Sequence, residues 1–341
     1  DLEINVVDRK GELTSRLTNI PGDDLAPLWS PDGGELAFIS NQDGNAEVYL
    51  MTTDGGRPVR ITAEEPDDRM GDWSPDGVWL AFARGGSSDE RGLWLRNPDG
   101  VNLVHLTTEN DFDPVWSPDG KEIVFVRDLE GNLDLFLASR LKDGTWQDEV
   151  QLTRLTQHEE DDLAPTWSPN GNRIAFMSWR DGNTEVYTMA ADGADQTRLT
   201  YSQVGDSIDP RWSPDGSQIV FVRVPAGRDG DGPQQIWVID IEQKAARQLR
   251  VAGLLIEDNS FLTLDSAFCG DLEAFAVFAA DDRVGLGAVR GPHRLGVPGQ
   301  SLLAEAIREV AEVAAFGQQR PVTEVTGRVR VTPLDRLDPL A

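Results

Sequence analysis

The sequence predicts an all-β chain folded as a six-bladed β-propeller, and three observations carry that expectation. Trp-Ser-Pro-(Asp/Asn)-Gly occurs five times, starting at Trp29, Trp73, Trp116, Trp167 and Trp212. The steps of 44, 43, 51 and 45 residues match the length of one four-stranded blade. Nine residues after each Trp a Phe stands inside a short apolar run, at Phe38, Phe82, Phe125, Phe176 and Phe221. Repeat architectures present extended binding surfaces, so a contact surface is the first expectation and a catalytic cleft the second.

Each element can be justified in chain order. The N-terminus reads as the outer two strands of a blade, INVV (4–7) and LTSRLT (13–18), with no inner hairpin before them. In every full repeat a strand ends in the motif Trp; Pro then fixes φ and Gly supplies the left-handed residue of a tight turn. The second strand is a continuous apolar run: LAFIS (36–40), LAFAR (80–84), IVFVR (123–127), IAFMS (174–178) and IVFVR (219–223). Such a run suits a strand covered on both faces by neighbouring blades. The third strand carries one aromatic, Tyr49, Trp94, Phe136, Tyr187 or Trp237, after loops such as NQDGN (41–45) and RDGN (180–183). The fourth ends in a variant of Arg-Leu-Thr at 60–62, 105–107, 154–156 and 198–200, weakening to Gln248-Leu249-Arg250 in the fifth repeat. Strands from the two chain ends would together remove the open edges of an incomplete blade. The missing inner hairpin is therefore expected just after residue 250, with AFCGDLEAFAVF (267–278) as its degenerate candidate.

The expected organisation is a propeller over 1–280, built of five clear repeats and a closing blade from both chain ends, followed by a partly helical tail over 281–341. All ten Trp, all three Tyr and all four Lys precede residue 250. SLLAEAIREVAEVAAF (301–316) places Leu303, Ala306, Ile307, Val310 and Ala314 on one helical side, with Ser301 as N-cap. A docking helix and a truncated or out-of-frame end both fit this change of composition. The chain opens at Asp1 with neither Met nor signal peptide, as a processed product or a fragment would. A single Cys269 excludes a disulfide framework within the chain. No apolar stretch approaches the ~18 residues of a membrane-spanning helix.

Net charge is −28, and residues 1–250 hold 46 acidic against 23 basic side chains. Such a surface repels nucleic acid and anionic membranes at long range, so neither is an expected partner. The segments joining one blade to the next concentrate the charge: Asp23-Asp24; Glu64, Glu65, Asp67 and Asp68; Glu109, Asp111 and Asp113; Glu159 to Asp162; Asp206 and Asp209. In a propeller these connections surround one mouth of the channel. Asp24, Asp68, Asp111 and Asp162 each stand five residues before the motif Trp, where the fifth repeat has Ser207. Two readings stand side by side. In one, Asp24, Asp68, Asp111, Asp162 and Asp209 form an acidic mouth for a basic protein surface or a cation; in the other, each Asp caps its own turn through backbone N–H groups. Arg84, Arg127 and Arg223 end the second strand of three repeats, with Ser40 and Ser178 at that position in the others. They are expected to pair with neighbouring carboxylates, with a grip on an acidic partner group as the alternative.

Chemistry beyond binding has little support. HEEDD (158–162) sets one imidazole beside four carboxylates without a second His at ligand spacing. Ca²⁺, which takes roughly six to eight oxygens, suits an acidic ring better, yet no EF-hand spacing is present. The Asp-Gly-Asn loops at 43–45 and 181–183 are first of all hairpin turns. No cofactor and no metal is assigned, with Ca²⁺ as the cation to test. His105 replaces the Arg of a strand end, His158 lies in an acidic loop and His293 in the tail, and no Gly-x-Ser-x-Gly elbow occurs. A nucleophile, base and oxyanion donors cannot be brought together from these residues, so no enzymatic activity is expected.

DDLAPLWSPDGGELAFISNQDGNAEVYLMTTDGGRPVRIT (23–62) and DDLAPTWSPNGNRIAFMSWRDGNTEVYTMAADGADQTRLT (161–200) resemble the propeller repeat of TolB-like proteins. Related WD-like repeats occur in tricorn-type proteases and beside prolyl-oligopeptidase-type hydrolase domains. The resemblance covers residues 1 to about 250 in five ordered copies. It implies a six-bladed propeller used for protein contacts, and for TolB-like proteins a periplasmic setting. TolB-like proteins place an α/β domain before the propeller, which these 341 residues do not contain. A non-enzymatic, monomeric protein-interaction module with a protein or peptide partner is expected; the alternative is the substrate-gating propeller of a larger serine peptidase or hydrolase.

Overall fold

The computed structural model describes residues 2–6, 15–86, 89–141, 144–203, 205–225 and 234–248, together with the backbone of 7, 13–14, 261–269 and 272–280. The chain starts with an antiparallel pair, β1 (Asn5–Val7) and β2 (Leu13–Arg16). Five four-stranded antiparallel blades follow, each hydrogen-bonded in chain order. Blade I is β3 (Asp24–Trp29), β4 (Glu35–Ser40), β5 (Glu47–Thr52) and β6 (Val59–Arg60). Blade II is β7 (Asp68–Trp73), β8 (Leu80–Arg84), β9 (Gly92–Arg96) and β10 (Leu103–His105). Blade III is β11 (Asp111–Trp116), β12 (Glu122–Asp128), β13 (Leu133–Arg140) and β14 (Val150–Arg154). Blade IV is β15 (Asp162–Trp167), β16 (Arg173–Ser178), β17 (Glu185–Ala190) and β18 (Thr197–Arg198). Blade V is β19 (Asp206–Trp212), β20 (Gln218–Val224), β21 (Gln235–Asp240) and β22 (Ala246–Gln248). The described residues contain no helix.

The first strands β3, β7, β11, β15 and β19 lie beside one another in that sequence, lining the axis as in a propeller. A last antiparallel pair, β23 (Phe261–Cys269) and β24 (Leu272–Ala280), is in register through Cys269 and Leu272, which lie within the candidate segment 267–278. β23 runs against β19 and β20 on one side and β3 on the other. The closing blade expected from both chain ends is not one four-stranded sheet among the described residues: β1–β2 and β23–β24 are separate two-stranded sheets. The helix expected at 301–316, and the tail 281–341 as a whole, lie outside the described residues.

The motif earns its spacing locally. In each Ser-Pro-(Asp/Asn)-Gly turn the Ser hydroxyl donates to the Asp or Asn side chain, at 2.6–2.8 Å, and the Gly takes φ between 69° and 71°. Only glycine adopts that region without strain. The Trp that precedes the turn is an inter-blade fastening: the indole N–H of Trp73, Trp167 and Trp212 donates to the carbonyls of Leu28, Val115 and Thr166 in the preceding blade. Phe38, Phe82, Phe125, Phe176 and Phe221 are fully buried, as expected for second strands sandwiched between blades. Trp29, beside the closing gap, is only half-buried where the other four motif Trp are buried. The core is thus a series of layers between blades, such as Leu93 and Leu95 of blade II against Trp116, Ile123 and Phe125 of blade III.

The 51-residue step has a packing reason. The longer β13–β14 connection carries Trp146, which is buried and meets Trp116 edge-on, with ring centroids 4.8 Å apart. The Arg-Leu-Thr ending is a clasp between the third and fourth strands. Thr62, Thr107, Thr156 and Thr200 each accept the backbone N–H of a third-strand residue through Oγ1, as Thr18 accepts that of Ile4 just before β1, and Arg16, Arg60, Arg154 and Arg198 reach Glu3, Glu47, Asp134 and Glu185. In blade II both charged members are changed, to Gly92 and His105, and the imidazole stacks on Trp94 at 3.9 Å instead. The N-terminal pair carries the same clasp as a complete blade.

Candidate functional site

The beginning of each inner strand sets what faces the axis. In four blades the residue before the inner strand's Pro is left-handed: Ala26 (φ 48°), Asp113 (50°), Ala164 (47°) and Asp209 (49°). Register shifts at the same places mark a β-bulge in each strand, a device that re-aims side chains at barrel rims and active sites. Asp113 is solvent-exposed yet enclosed by protein atoms, as a channel wall is, and that enclosure raises its pKa. Arg69 and Arg211 oppose the rise, and Asp209, on the blade two steps round the ring, adds to it. Asp209, half-buried, is raised by the same enclosure with Arg211 opposing.

The other four residues expected at an acidic mouth lie beneath the surface. Asp24, Asp68, Asp111 and Asp162 are all buried. Asp68 faces Arg84 across β7–β8 and receives Nε at 2.7 Å and Nη2 at 2.9 Å; Asp111 faces Arg127 across β11–β12 and receives the same two nitrogens at 2.6 and 2.7 Å. Two-point contacts of this kind are among the strongest charge-assisted hydrogen bonds. Each guanidinium also lies over two rings of its own blade, Phe82 and Trp94 for Arg84, Phe125 and Phe136 for Arg127. Burial pulls the Asp68 carboxyl up, to about 6, while its carboxylate partners raise Arg84 despite burial; the two-point contact holds both charged at neutral pH. In blade IV the facing residue is Ser178, and Arg180 two positions on takes over, Nη2 reaching both Asp162 oxygens at 2.8–2.9 Å. Sequence reasoning missed Arg180; its signal is the cation in SWRDGN (178–183) where SNQDGN of blade I has the neutral Gln42.

The blades on either side of β23 break the pattern in opposite senses. In blade I, Asp24 faces Ser40, Gln42 stands where blade IV has Arg180, and neither carboxylate oxygen has a partner at hydrogen-bonding geometry. Burial raises its pKa, the nearby Ser40 and Thr18 hydroxyls only partly opposing this. In blade V, Arg223 faces Ser207, and both Arg223 Nε and Ser207 Oγ are buried without a partner. Burial lowers the pKa of Arg223, whereas those of Arg84 and Arg127 are raised by their carboxylates.

The family model described as the TolB beta propeller domain matches residues 1–140 and 101–250. The chain belongs to that family. It is similar to a TolB homolog of Chlorobium luteolum, 32% identical over 49% of this chain and 36% of the relative, and to a Tol-Pal system protein TolB of Francisella tularensis, 28% identical over 53% and 41%. It is also similar to YuxL of Bacillus subtilis, named an uncharacterized peptidase, at 29% identity over 45% of this chain and 21% of that protein. The chain thus spans about half or less of the curated relatives it matches. Among solved structures, a candidate TolB from Agrobacterium tumefaciens superposes with a TM-score of 0.57 at 24% identity, covering 69% of this chain and 83% of that one. A puromycin hydrolase superposes with a TM-score of 0.61 at 17% identity, covering 82% and 46%, a likeness of fold alone.

Among the described residues, the carboxylate groups considered for metal binding also take part in internal contacts. Glu47, Glu64 and Asp68 bring carboxylate oxygens within 4.8 Å of one another, but Arg84 bonds both Glu64 and Asp68, and Arg60 bonds Glu47, so guanidinium groups supply the positive charge. Asn45 and Asn183 of the Asp-Gly-Asn loops donate to Glu47 and Glu185 and to backbone carbonyls, while Asp43 and Asp181 accept from Tyr49 and Tyr187. In HEEDD, His158 Nδ1 accepts the Glu160 N–H, Asp161 accepts that of Leu133, and Asp162 holds Arg180.

Proposed function

We propose that this chain is a TolB-type binding module, monomeric and without catalysis of its own, that holds a protein or peptide with a basic surface against the connector face of the ring. The carrying observation is the division between two sets of carboxylates on that face. Asp68, Asp111 and Asp162 are withdrawn and neutralised by arginines, whereas Glu65, Glu109, Glu159 and Glu160 on the same connectors are exposed. Exposed charges that share a face reinforce one another within a Debye length, ~10 Å at 0.1 M salt. A relative named for the Tol-Pal system supports a protein partner, and the TolB resemblance supports a periplasmic setting. Ca²⁺ is the small cation proposed for the same face.

The test is capture of partners from a periplasmic extract on immobilised protein, read by mass spectrometry, against a variant carrying Glu65→Gln, Glu109→Gln, Glu159→Gln and Glu160→Gln. Capture falls with salt and is lost in the variant at unchanged melting temperature; capture indifferent to both overturns the reading. A Ca²⁺-dependent rise in melting temperature, lost in the variant, would place the ion there. A second reading, the substrate-gating propeller of a larger peptidase, is supported by the relative named a peptidase and by the hydrolase fold likeness. A hydrolase domain encoded in the same polypeptide would decide for it.

A further inference from the structure

We propose that Arg223 and Ser207 in blade V form a receptor for a carboxylate brought by a ligand. Blades II and III show what such a receptor holds when filled. At the same cross-strand positions, Arg84 and Arg127 grip the carboxylates of Asp68 and Asp111 through Nε and Nη2 at 2.6–2.9 Å. Blade V keeps the arginine and replaces the aspartate with Ser207, so the cation stays and its anion is missing. The residue left behind is fully buried, and its hydroxyl points to no partner; Arg223 Nε, a second buried donor, has none either. A buried donor without an acceptor is costly, because it has given up water without a replacement.

The arginine is already held in the gripping pose. Its guanidinium lies 4.3 Å from the Trp237 ring and 5.6 Å from Phe221, matching Arg127 at 4.7 Å from Phe136 and 5.6 Å from Phe125. A planar fork fixed by stacking is preorganised for a planar carboxylate. Among the described residues no carboxylate forms an ion pair with Arg223; the one opposing charge that acts on it is that of Glu185 in the neighbouring blade. The overall charge of −28 repels an acidic ligand at long range, so affinity here comes from contact, and added salt weakens it less than it would weaken a long-range attraction. The site is independent of which surface meets the partner proposed above, and it exists whether the propeller stands alone or serves a peptidase.

The experiment is side-chain NMR of the whole chain, following arginine Nε–H signals during titration with acetate at constant ionic strength. Arg84 and Arg127, already bonded to carboxylates, serve as internal references. The Arg223 signal is expected to begin apart from theirs and to move towards them saturably. Ser207→Asp supplies the carboxylate from within: it should place the Arg223 signal beside the references, raise the melting temperature and abolish the acetate response. A hexaglutamate peptide with a blocked C-terminus separates the two sources. Binding at least about tenfold tighter than acetate assigns the site to acidic side chains of a partner, since several carboxylates then share one effective concentration; equal or weaker binding assigns it to a free small carboxylate. The proposal is overturned if the Arg223 signal lies with the references before any addition, or if neither probe moves it in the native protein.

Discussion

Blades II and III carry aspartate and arginine on facing positions of their inner hairpins, whereas blades I and V, on either side of β23, each keep one half of that pair. Among the described residues Asp24 has no cation and Arg223 no ion-paired anion, although both stand at the positions filled in the middle of the array. The hydrophobic layers show the same gradient, with Trp116 buried against blade II and Trp146 while Trp29 is half-buried. In blades II and III the facing charges of the inner hairpin satisfy each other, although other buried polar atoms there, such as Trp116 Nε1 and Arg96 Nε, have no partner. Repeats at the closure meet an irregular neighbour, and their polar groups depart from the pattern.

The largest test of this contrast is in the layers. Trp116→Ala or Phe125→Ala should cost about 3–5 kcal/mol, as large-to-small core changes do. Trp29→Ala should cost about half as much, because part of its ring is already in water. Urea denaturation of the three variants checks this, and equal losses at Trp29 and Trp116 would remove the distinction between closing and interior blades.

Most of the fold was legible because the propeller repeats its own evidence. Five copies of one turn motif with a Phe at fixed distance leave one register in which every Phe is covered, and Phe38 through Phe221 obey it. The acidic positions were legible only as positions. That Asp68 and Arg84 stand opposite each other depends on the hairpin register, and that both are withdrawn from water depends on the neighbouring blade; a linear spacing carries neither. Asp111 and Asp162 likewise looked like surface charge because aspartate is rarely buried unless paired, and the pairing is a tertiary fact. Trp146 was hidden in an insertion that interrupts the period.

Removing one half of a complete pair should come next in size. Arg84→Met leaves Asp68 buried, with Glu47 and Glu64 close by, and should cost about 3 kcal/mol or more, since breaking a buried pair strands the remaining charge. Arg223→Met removes a cation that has no carboxylate and should cost less than about 1 kcal/mol. Matched denaturation curves decide it, and similar losses would mean that Arg223 is satisfied in solution.

Gly71 probes the packing between two complete blades. It replaces the Pro found at this place in the other four inner strands, and a Cβ there would lie 2.3 Å from Pro114 Cγ of blade III and 2.7 Å from the Ala81 carbonyl. The backbone oxygen cannot swing away as a side chain can, so Gly71→Ala should cost about 1–3 kcal/mol through overpacking. An unchanged melting temperature would show that blades II and III slide apart freely.

The smallest effect, and the one with a distinctive pH signature, is at Asp24. Its carboxyl is buried beside the like charges of Glu3 and Asp23, with only the hydroxyls of Ser40 and Thr18 in support, and burial raises its folded pKa above the ordinary value of 3.8. A raised folded pKa means that the native state binds this proton more tightly than the unfolded chain does. The group's contribution to stability is therefore fully present below pH 3.8 and is lost as pH rises through the folded pKa. Asp24→Asn keeps the shape, can share hydrogen bonds with both hydroxyls and has no charge to desolvate. It should stabilise the protein by about 1 kcal/mol at neutral pH, the scale of an unmet buried polar group. Below pH 3.8, where aspartate is protonated in both states, the gain should vanish. The same substitution at Asp111, whose carboxylate is held at two points by Arg127, should destabilise at neutral pH instead. Melting temperatures of the native protein and both variants from pH 3 to 8 would show the opposite signs; if Asp24→Asn is destabilising at neutral pH, a cation reaches Asp24 in solution and blade I is as complete as blade III.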